Sequence, residues 1–406
     1  MAGDIWWLLI ILLAGTSVLV RSEILGFLTV LLTLGSAVAT LSRRYALRGV
    51  TYRRRLSDVR IFAGQEAELT IQVRNLKPMP LAWLLVREQL PEGLSLVVED
   101  RGEGTEIETT SLVLRDVMVL RGYQSVERRY RVRGHQRGIY AFGRAELAAG
   151  SLFGLEQQSR QVTQVDRLIV YPKIVPVDEI PLPFERPAGP AAARRRIVED
   201  PLRMASVREY VPGDSIRHIH WKVTAHRDQL QTKVFDPQAS EALILFADVQ
   251  TDSDPYVLVP EYLELVVSAA ASLALHGLDA RRSVGLLANG GTPESQGWTY
   301  VSPSRHPQQG PQILEALAVL GSFRTLTLSQ LLYRARHALP YGATVTAITA
   351  RTTEPVLLAL LALQDAGHPV LLLTVGDRQP AIPERFTTYH LGGRDAWRQL
   401  ETLAVA

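Results

Sequence analysis

The first forty residues are the most apolar part of the chain. Two runs, 5–20 and 24–41, contain no charged residue and are separated by Arg21, Ser22 and Glu23. At about 1.5 Å of rise per residue they form roughly 24 to 27 Å of helix, slightly less than a bilayer core of about 30 Å, which flanking residues can complete. The pattern predicts a two-helix transmembrane hairpin over 1–42. The alternatives are a buried helical hairpin, or a cleaved signal peptide for the first run, although that run has neither a basic start nor an A-x-A site after it.

Short runs that alternate apolar and polar side chains follow, separated by Gly, Pro and Asn. Such period-2 runs predict an antiparallel β-sandwich, here over 50–175, rather than a helical domain. Residues 176–201 are rich in Pro and Ala and are interpreted as a linker. The alternating runs are AELTIQVRN, LAWLLVREQL, LSLVVED, TSLVLRDVMVL, VERRYRVRG and RLIVYP.

The last part of the chain has a different pattern, in which continuous apolar strands are separated by amphipathic helical stretches. This alternation predicts a parallel sheet covered on both faces, a three-layer α/β domain over 237–406. Ligand sites in such folds lie beyond the carboxyl ends of the strands. The residues at those ends are Asp248, Asn289, Thr349 and Asp377.

Charge refines this picture because the basic residues are concentrated in one place. The chain has a net charge of +3, and residues 43–60 contribute 7 − 1 = +6, which leaves −3 for the rest. Arginines that follow an apolar span resist translocation, so the bulk of the chain is expected in the cytoplasm, with the spans in membrane lipid. The cluster consists of Arg43, Arg44, Arg48, Arg53, Arg54, Arg55 and Arg60.

The absence of a global basic field argues against nucleic acid as the main partner. The chain has no cysteine, which excludes thiol catalysis, thiolate metal sites and disulfides. No feature points to a small-molecule substrate. The remaining candidate chemistry is concentrated in REYVPGDSIRHIHWKVTAHRDQL, residues 208–230.

This stretch begins with a Pro212-Gly213 turn, after which Asp214 is expected to cap a helical turn. In that turn Ile216, Ile219 and Val223 share one face, although a strand is also possible. Mixed charges beside Trp221 suit ion pairs within the chain or a protein interface, where Arg, Tyr and Trp act as anchors.

Catalysis is the alternative interpretation of the same stretch. His218, His220 and His226, with Asp214 and Glu209, could bind a metal or act as general acid and base in a metal-dependent hydrolase. The closest histidine pair is spaced i, i+2, however, whereas metal-binding pairs on helices are usually spaced i, i+4. The sequence therefore favours a non-enzymatic role.

Several motifs in the same order resemble the bacterial "domain of unknown function 58" family. R-E-Y-x-P-G-D is followed by R-x-I-x-W-K and T-A, and NLKPMPLAWLLVREQLPEG, RGIYAFGRAELAAGSLFGL and LIVYP agree as well. The chain departs from the family at Ala225-His226-Arg227, where members usually continue Ala-Arg. Residues 202–236 are therefore defined as the signature segment.

The resemblance implies a membrane-anchored protein with a C-terminal von Willebrand factor A-like domain and a MoxR-type AAA+ ATPase as partner. It implies no established enzymatic activity. The signature segment is expected to dock the two domains together or to present a surface to the ATPase. The residues expected to form that contact are Arg208, Glu209, Tyr210, Pro212, Gly213, Asp214, Arg217, Ile219, Trp221 and Lys222.

The von Willebrand A resemblance also raises the possibility of Mg²⁺, bound through an Asp-x-Ser-x-Ser loop. Here the loop is Asp248-Val249-Gln250-Thr251-Asp252, so the aspartate is kept and both serines are replaced. Because Mg²⁺ requires several oxygen ligands, the candidate ligands are Asp248 and, in place of the lost serines, Asp252 or Asp254. The competing interpretation is a surface acid near a strand end.

Overall fold

The chain folds into two compact units, Met1–Val170 and Tyr171–Ala406, each built mainly on β-sheets. The sheet-rich, multidomain character that the sequence predicts is confirmed. The structure is a computed structural model, and it describes residues 2–20, 23–100, 103–107, 113–150, 157–177, 199–211, 214–237, 242–254, 256–292, 297–401 and 403. Most of the predicted linker lies outside these ranges.

The two N-terminal helices are α1 (Ala2–Val20) and α2 (Glu23–Tyr45), which contact each other. Within the described ranges, no helix combines the length and the apolar character needed to cross a membrane. The predicted transmembrane hairpin is therefore wrong, as is the two-span location in a bacterial cell membrane. The prediction needed flanking residues to lengthen the apolar runs, but α2 gains its extra length from Glu23 at one end and from Arg43 and Arg44 near the other.

The described residues of the first unit form three sheets, built mainly from antiparallel strand pairs, whose buried faces share one apolar core. Strand order is β1-β3-β8-β5-β6 in one sheet, β11-β10-β4-β7 in the second and β2-β12-β9 in the third. The strands are β1 (Val50–Leu56), β2 (Arg60–Phe62), β3 (Glu66–Asn75), β4 (Leu81–Gln89), β5 (Leu94–Asp100), β6 (Glu103–Ile107), β7 (Val113–Leu120), β8 (Ser125–Gly134), β9 (Gly138–Phe142), β10 (Ala145–Gly150), β11 (Gln157–Val162) and β12 (Asp166–Tyr171).

Alternation along β1 places one member of the arginine cluster inside this core. Val50, Tyr52 and Arg54 are buried while the residues between them are exposed. The Arg54 guanidinium forms a salt bridge with Glu88, which also accepts a hydrogen bond from the Tyr52 hydroxyl. Arg54 Nε lies 2.7 Å from Asp166 Oδ2. Arg54 is therefore buried, unlike its neighbours Arg53 and Arg55, and it joins β1 to β4 and β12.

Removing one member of this buried cluster leaves an uncompensated charge. Glu88→Ala is expected to lower the free energy of unfolding by about 3 to 5 kcal/mol, because the Arg54 guanidinium stays in the core without its main partner. The exposed pair Arg129–Glu127 provides a matched control, and Glu127→Ala is expected to cost less than about 1 kcal/mol. Chemical denaturation of both variants measures the difference, and equal losses would contradict a structural role for the cluster.

The second unit begins with a β-hairpin and continues as an α/β sheet with the order β17-β16-β15-β18-β19-β20. Neighbouring strands of this sheet are parallel except for β17, which is antiparallel to β16. The elements are β13 (Glu199–Glu209), α3 (Trp221–Arg227), β14 (Gln231–Pro237), β15 (Ala242–Ala247), α4 (Pro260–Asp279), β16 (Ser283–Ala288), β17 (Thr299–Ser304), α5 (Gln309–Ala318), α6 (Leu328–Ala335), β18 (Thr344–Thr349), α7 (Glu354–Asp365), β19 (Val370–Thr374), β20 (Thr387–His390) and α8 (Arg394–Arg398).

Helices cover both faces of this sheet. Ile244 and Phe246 of β15 share a core with α6 and α7, whereas Leu243, on the opposite face of the strand, lies close to Gly277 of α4. Every residue of β15, β18 and β19 is buried, as expected for strands covered on both sides. Strand β15 lies between β16 and β18, so the strand order changes side at β15: later strands are added first on one side of it and then on the other. In α/β folds, ligand sites commonly lie at such a point.

Candidate protein-interaction site

The signature segment forms an antiparallel hairpin of β13 and β14 with two short helices in its connection. Arg208 pairs with Thr232 and Glu209 with Gln231 at the end of the hairpin. The connection contains a 3₁₀ turn, Ile216–His218, followed by α3. Pro212 and Gly213, which the sequence analysis assigned to a turn, lie outside the described residues.

The carboxylate of Asp214 holds the connection to the hairpin. It accepts two hydrogen bonds from Arg208, at 2.7 Å from Nη1 to Oδ2 and 2.7 Å from Nη2 to Oδ1. Oδ2 also accepts from the Val211 amide at 3.1 Å and the Thr232 hydroxyl at 3.2 Å. A single side chain therefore joins both strands and the turn, and paired bonds from arginine fix its orientation.

Two further contacts hold the second half of the connection against β14. Ile219 is buried and bridges to Thr232, and the His220 amide donates to the Gln231 carbonyl at 2.8 Å. Thr224 Oγ1 accepts from the Gln231 amide at 3.0 Å. These contacts thus hold the start and the middle of α3 against β14.

The local helix differs from the sequence prediction. Ile216 is 70% exposed while Ile219 is buried, so the two do not share a face. The extended backbone of Ile219 ends the 3₁₀ turn, and His220 rather than Asp214 caps the next helix, accepting from the Val223 amide through Nδ1 at 3.2 Å. The prediction failed because Asp214 is used for a long-range contact with Arg208 and Thr232 instead of a local cap.

Large side chains on the outside of this frame are exposed to solvent. Trp221 is 64% exposed and stands beside exposed Lys222, while Arg217 is exposed in the preceding turn. Of the predicted contact residues, Arg208 and Asp214 are brought together, Ile219 is buried, and Glu209 is exposed. Three exposed apolar residues of the connection were missed, because no regular alternation with buried neighbours marks them in the sequence. They are Val211, Ile216 and Leu230.

The histidines do not converge on a common point with carboxylates. Among the residues that the structure describes, no group of three or more His, Asp or Glu side chains is placed to hold a metal ion. Asp214 is occupied by Arg208, and His220 Nδ1 by the Val223 amide. The hydrolase alternative remains a prediction without a feature of the segment in its support.

Asp214 also shows how strongly its surroundings favour the charged carboxylate. The hydrogen bonds from Arg208, the Val211 amide and Thr232 lower the pKa of Asp214 to about 2. Because the native pKa lies below the unfolded value of about 3.9, this group stabilises the fold above about pH 4, and that contribution is lost as the pH falls through the native pKa.

Carboxyl carbon NMR of aspartate-labelled protein is expected to give an Asp214 titration midpoint near 2. Arg208→Ala removes the largest contribution, so the midpoint of that variant is expected to move up toward the ordinary aspartate value of about 3.9. An unchanged midpoint in Arg208→Ala would show that Arg208 does not hold this carboxylate in solution.

A second polar cluster lies at the carboxyl ends of the parallel strands. Asp248 follows β15 and is buried. Its Oδ1 accepts hydrogen bonds from Asn289 Nδ2 at 2.7 Å and from the Gln250 amide at 3.0 Å. Its Oδ2 accepts a hydrogen bond from Thr349 Oγ1 at 2.6 Å. Three of the four predicted strand-end residues therefore meet. The fourth, Asp377, bonds instead to Arg394 and Tyr262.

This donor set does not fit an open Mg²⁺ site. Both oxygens of Asp248 hold protein donors, and burial raises the pKa of Asp248, which disfavours the anion that a hard cation requires. Asp252 Oδ1 accepts from the Asp254 amide and from Ser253 Oγ, each at 3.0 Å. The two candidate ligands thus serve to order the loop between β15 and α4.

Two threonines on β18 test the importance of the Asp248 contacts. Thr349→Val removes a donor from a buried carboxylate and is expected to lower the free energy of unfolding by about 1 to 3 kcal/mol. Thr346 is also buried, and its hydroxyl has no hydrogen-bond partner among the described residues. The control Thr346→Val is therefore expected to be neutral or stabilising in the same denaturation experiment; equal losses would contradict a special role for Thr349.

These features define a multidomain protein with an α/β unit and, before its first strand in the sequence, a hairpin whose connection carries exposed side chains. The family model described as "Protein of unknown function DUF58" matches residues 206–379, which include most of that hairpin and the Asp248 cluster. The uncharacterized protein YeaD of Bacillus subtilis (strain 168) is 27% identical over 235 residues, covering 58% of this chain. The chain spans 54% of that relative. Both findings support the DUF58 family resemblance.

Solved structures add only distant likenesses. The sporulation control protein Spo0M of Bacillus subtilis aligns with a TM-score of 0.18 and 13% identity, covering 30% of this chain and 49% of that one. A CARDB domain from Pyrococcus furiosus, in complex with di-metal ions, aligns with a TM-score of 0.19 and 13% identity, covering 30% of this chain and 91% of that one. The Pseudomonas fluorescens alkylpurine DNA glycosylase AlkC, bound to DNA containing an abasic site analog, aligns with a TM-score of 0.19 and 15% identity, covering 34% of each chain. Scores this low carry no inference.

Proposed function

We propose that the protein is a non-enzymatic interaction scaffold and that the exposed side of the signature segment is its docking surface. The partner is a MoxR-type AAA+ ATPase, the class that the family resemblance implies. The α/β unit is proposed to be of the von Willebrand factor A type, with its strand-end aspartate committed to hydrogen bonds within the protein.

The observation that carries this proposal is the exposure of anchor side chains on an ordered frame. Trp221, Ile216 and Arg217 project from a connection whose backbone is fixed by Asp214, Ile219 and Thr224. Tryptophan and arginine are enriched among the residues that dominate binding energy at protein interfaces. An ordered frame reduces the entropy lost on association, because the side chains are already presented in one arrangement.

The charges that remain after internal pairing also suit a protein partner. Arg208 and Asp214 neutralise each other, while Arg217 and Lys222 are exposed in the same connection as Trp221. Arg227 and Asp228, at the end of α3, are exposed as well. Rim charges of this kind mainly influence association rate and specificity, whereas a central aromatic contributes more of the affinity. The surface therefore combines an aromatic anchor with cations that select an acidic neighbour.

Trp221→Ala and Arg217→Glu test the surface directly. Each is expected to reduce retention of a purified MoxR-type ATPase from the same organism, with a loss of about 2 kcal/mol, roughly thirtyfold in affinity, for the tryptophan. Both side chains are exposed, so thermal unfolding is expected to stay unchanged. Isothermal titration and a pull-down measure the effect.

Tyr333→Ala and Arg334→Glu are matched controls, because both residues are exposed and lie together on α6. They change one aromatic and one charge without touching the signature segment. Full affinity in the α6 variants and reduced affinity in the segment variants supports the proposal. Retention of the ATPase at wild-type affinity by both segment variants contradicts it.

A further inference from the structure

A second surface, in the first unit, has the features of a site for strand addition. Strand β7 stands at the end of the sheet β11-β10-β4-β7, and among the described strands it pairs only with β4. An edge strand presents backbone N–H and C=O groups that an incoming extended segment can bind. Both edge strands of the sheet, β7 and β11, begin directly after residues outside the described ranges.

The exposed face of β7 is unusually apolar for an edge. Val117 is 63% exposed and Val119 is 65% exposed, and exposed Val113 continues the same face. Single exposed apolar residues are ordinary, but here three valines share the exposed face of one strand. Arg115 is the only other residue on that face between Val113 and Val119.

Cross-strand rows on this face indicate what an added strand carries. Glu146 of β10 lies opposite Arg87 of β4, 3.1 Å from carboxylate to guanidinium, and Arg87 lies opposite Arg115 of β7. Arg115 thus has a like charge beside it and forms no salt bridge with any described residue. Because opposite charges across strands stabilise a sheet, an acid on the next strand completes the row Glu-Arg-Arg-acid.

The neighbouring row selects an apolar residue in the same way. Ala148 of β10 lies opposite Leu85 of β4, which lies opposite Val117. One step further, Val119 borders a groove of about 260 Å³ that Met79, Pro80 and Ala82 also line. The row and the groove both receive an aliphatic side chain.

We propose that β7 binds an extended segment of a partner protein whose side chains alternate so that an acid faces Arg115 and aliphatic residues face Val117 and Val119. A second copy of the chain fits less well. If two copies of β7 paired antiparallel with Arg115 or Asp116 at the centre, like charges would lie opposite each other. With Val117 at the centre, Arg115 would lie opposite Val119 and would gain no acid. This surface is separate from the signature segment, so either proposal can fail without the other.

The probe is a fluorescent peptide with the order valine, threonine, valine, threonine, glutamate, threonine, valine, which matches antiparallel addition along β7. A second peptide has lysine in place of glutamate. Fluorescence anisotropy with the full chain is expected to show tighter binding of the glutamate peptide. Hydrogen exchange is expected to slow in 113–120 when that peptide is bound.

Arg115→Glu is expected to weaken the glutamate peptide by about five- to tenfold and to strengthen the lysine peptide, since the charge pair is exchanged. The control Arg167→Glu makes the same charge change at an exposed position on β12, which is flanked by β2 and β9, and is expected to leave both affinities unchanged.

Three results would overturn the proposal. The first is equal binding of the two peptides to the wild-type chain. The second is protection of a strand other than β7. The third is a dimer in sedimentation experiments with 113–120 already protected in the absence of peptide, which would identify a second copy as the occupant.

Discussion

The contact between the Asp214 carboxylate and Arg208 is the constraint on which the signature segment depends. The connection between β13 and β14 is more than twenty residues long, and Asp214 closes it. Its carboxylate accepts hydrogen bonds from Arg208 near the end of β13, from Thr232 on β14 and from the Val211 amide. Without such a contact, the exposed apolar residues of the connection would be free to collapse onto the hairpin. With it, they are held outward, and exposure becomes a property of the fold.

The same use of a carboxylate as a structural centre occurs at two other places. Glu88 joins Tyr52 and Arg54 within the core of the first unit, and Asp248 joins three strand-end loops in the second. A buried carboxylate is costly unless donors surround it, so each of these clusters specifies one arrangement of the chain around it. In Asp248 this commitment replaces the open coordination that a metal site needs.

Periodicity accounts for what the sequence could predict. Alternation placed six strands of the first unit, β3, β4, β5, β7, β8 and β12, and continuous apolar runs placed β15, β16, β18 and β19, because both patterns depend only on neighbours along the chain. The same alternation along β1 places Arg54 on the buried face with Val50 and Tyr52. The prediction missed this because it grouped the arginines by their position in the sequence and did not ask on which face of a strand each one lies. The transmembrane prediction was wrong because it relied on flanking residues to complete the apolar length, whereas the residues that lengthen α2 include Glu23 at one end and Arg43 and Arg44 near the other.

The site was less predictable because its contacts are distant in sequence. Asp214 had a plausible local role as a helix cap, and nothing near it indicated that Thr232 would compete for it. The strand-end cluster of Asp248, Asn289 and Thr349 was foreseeable, since parallel strands bring their carboxyl ends to one edge. Its closed hydrogen bonding was not, because it depends on side-chain orientation.

Hydrogen exchange of the full chain, with and without a MoxR-type AAA+ ATPase, tests the central claim most directly. The account predicts that the partner slows exchange in residues 214–232, centred on the 3₁₀ turn and α3. Complex formation that leaves this segment unchanged and protects another surface would contradict it.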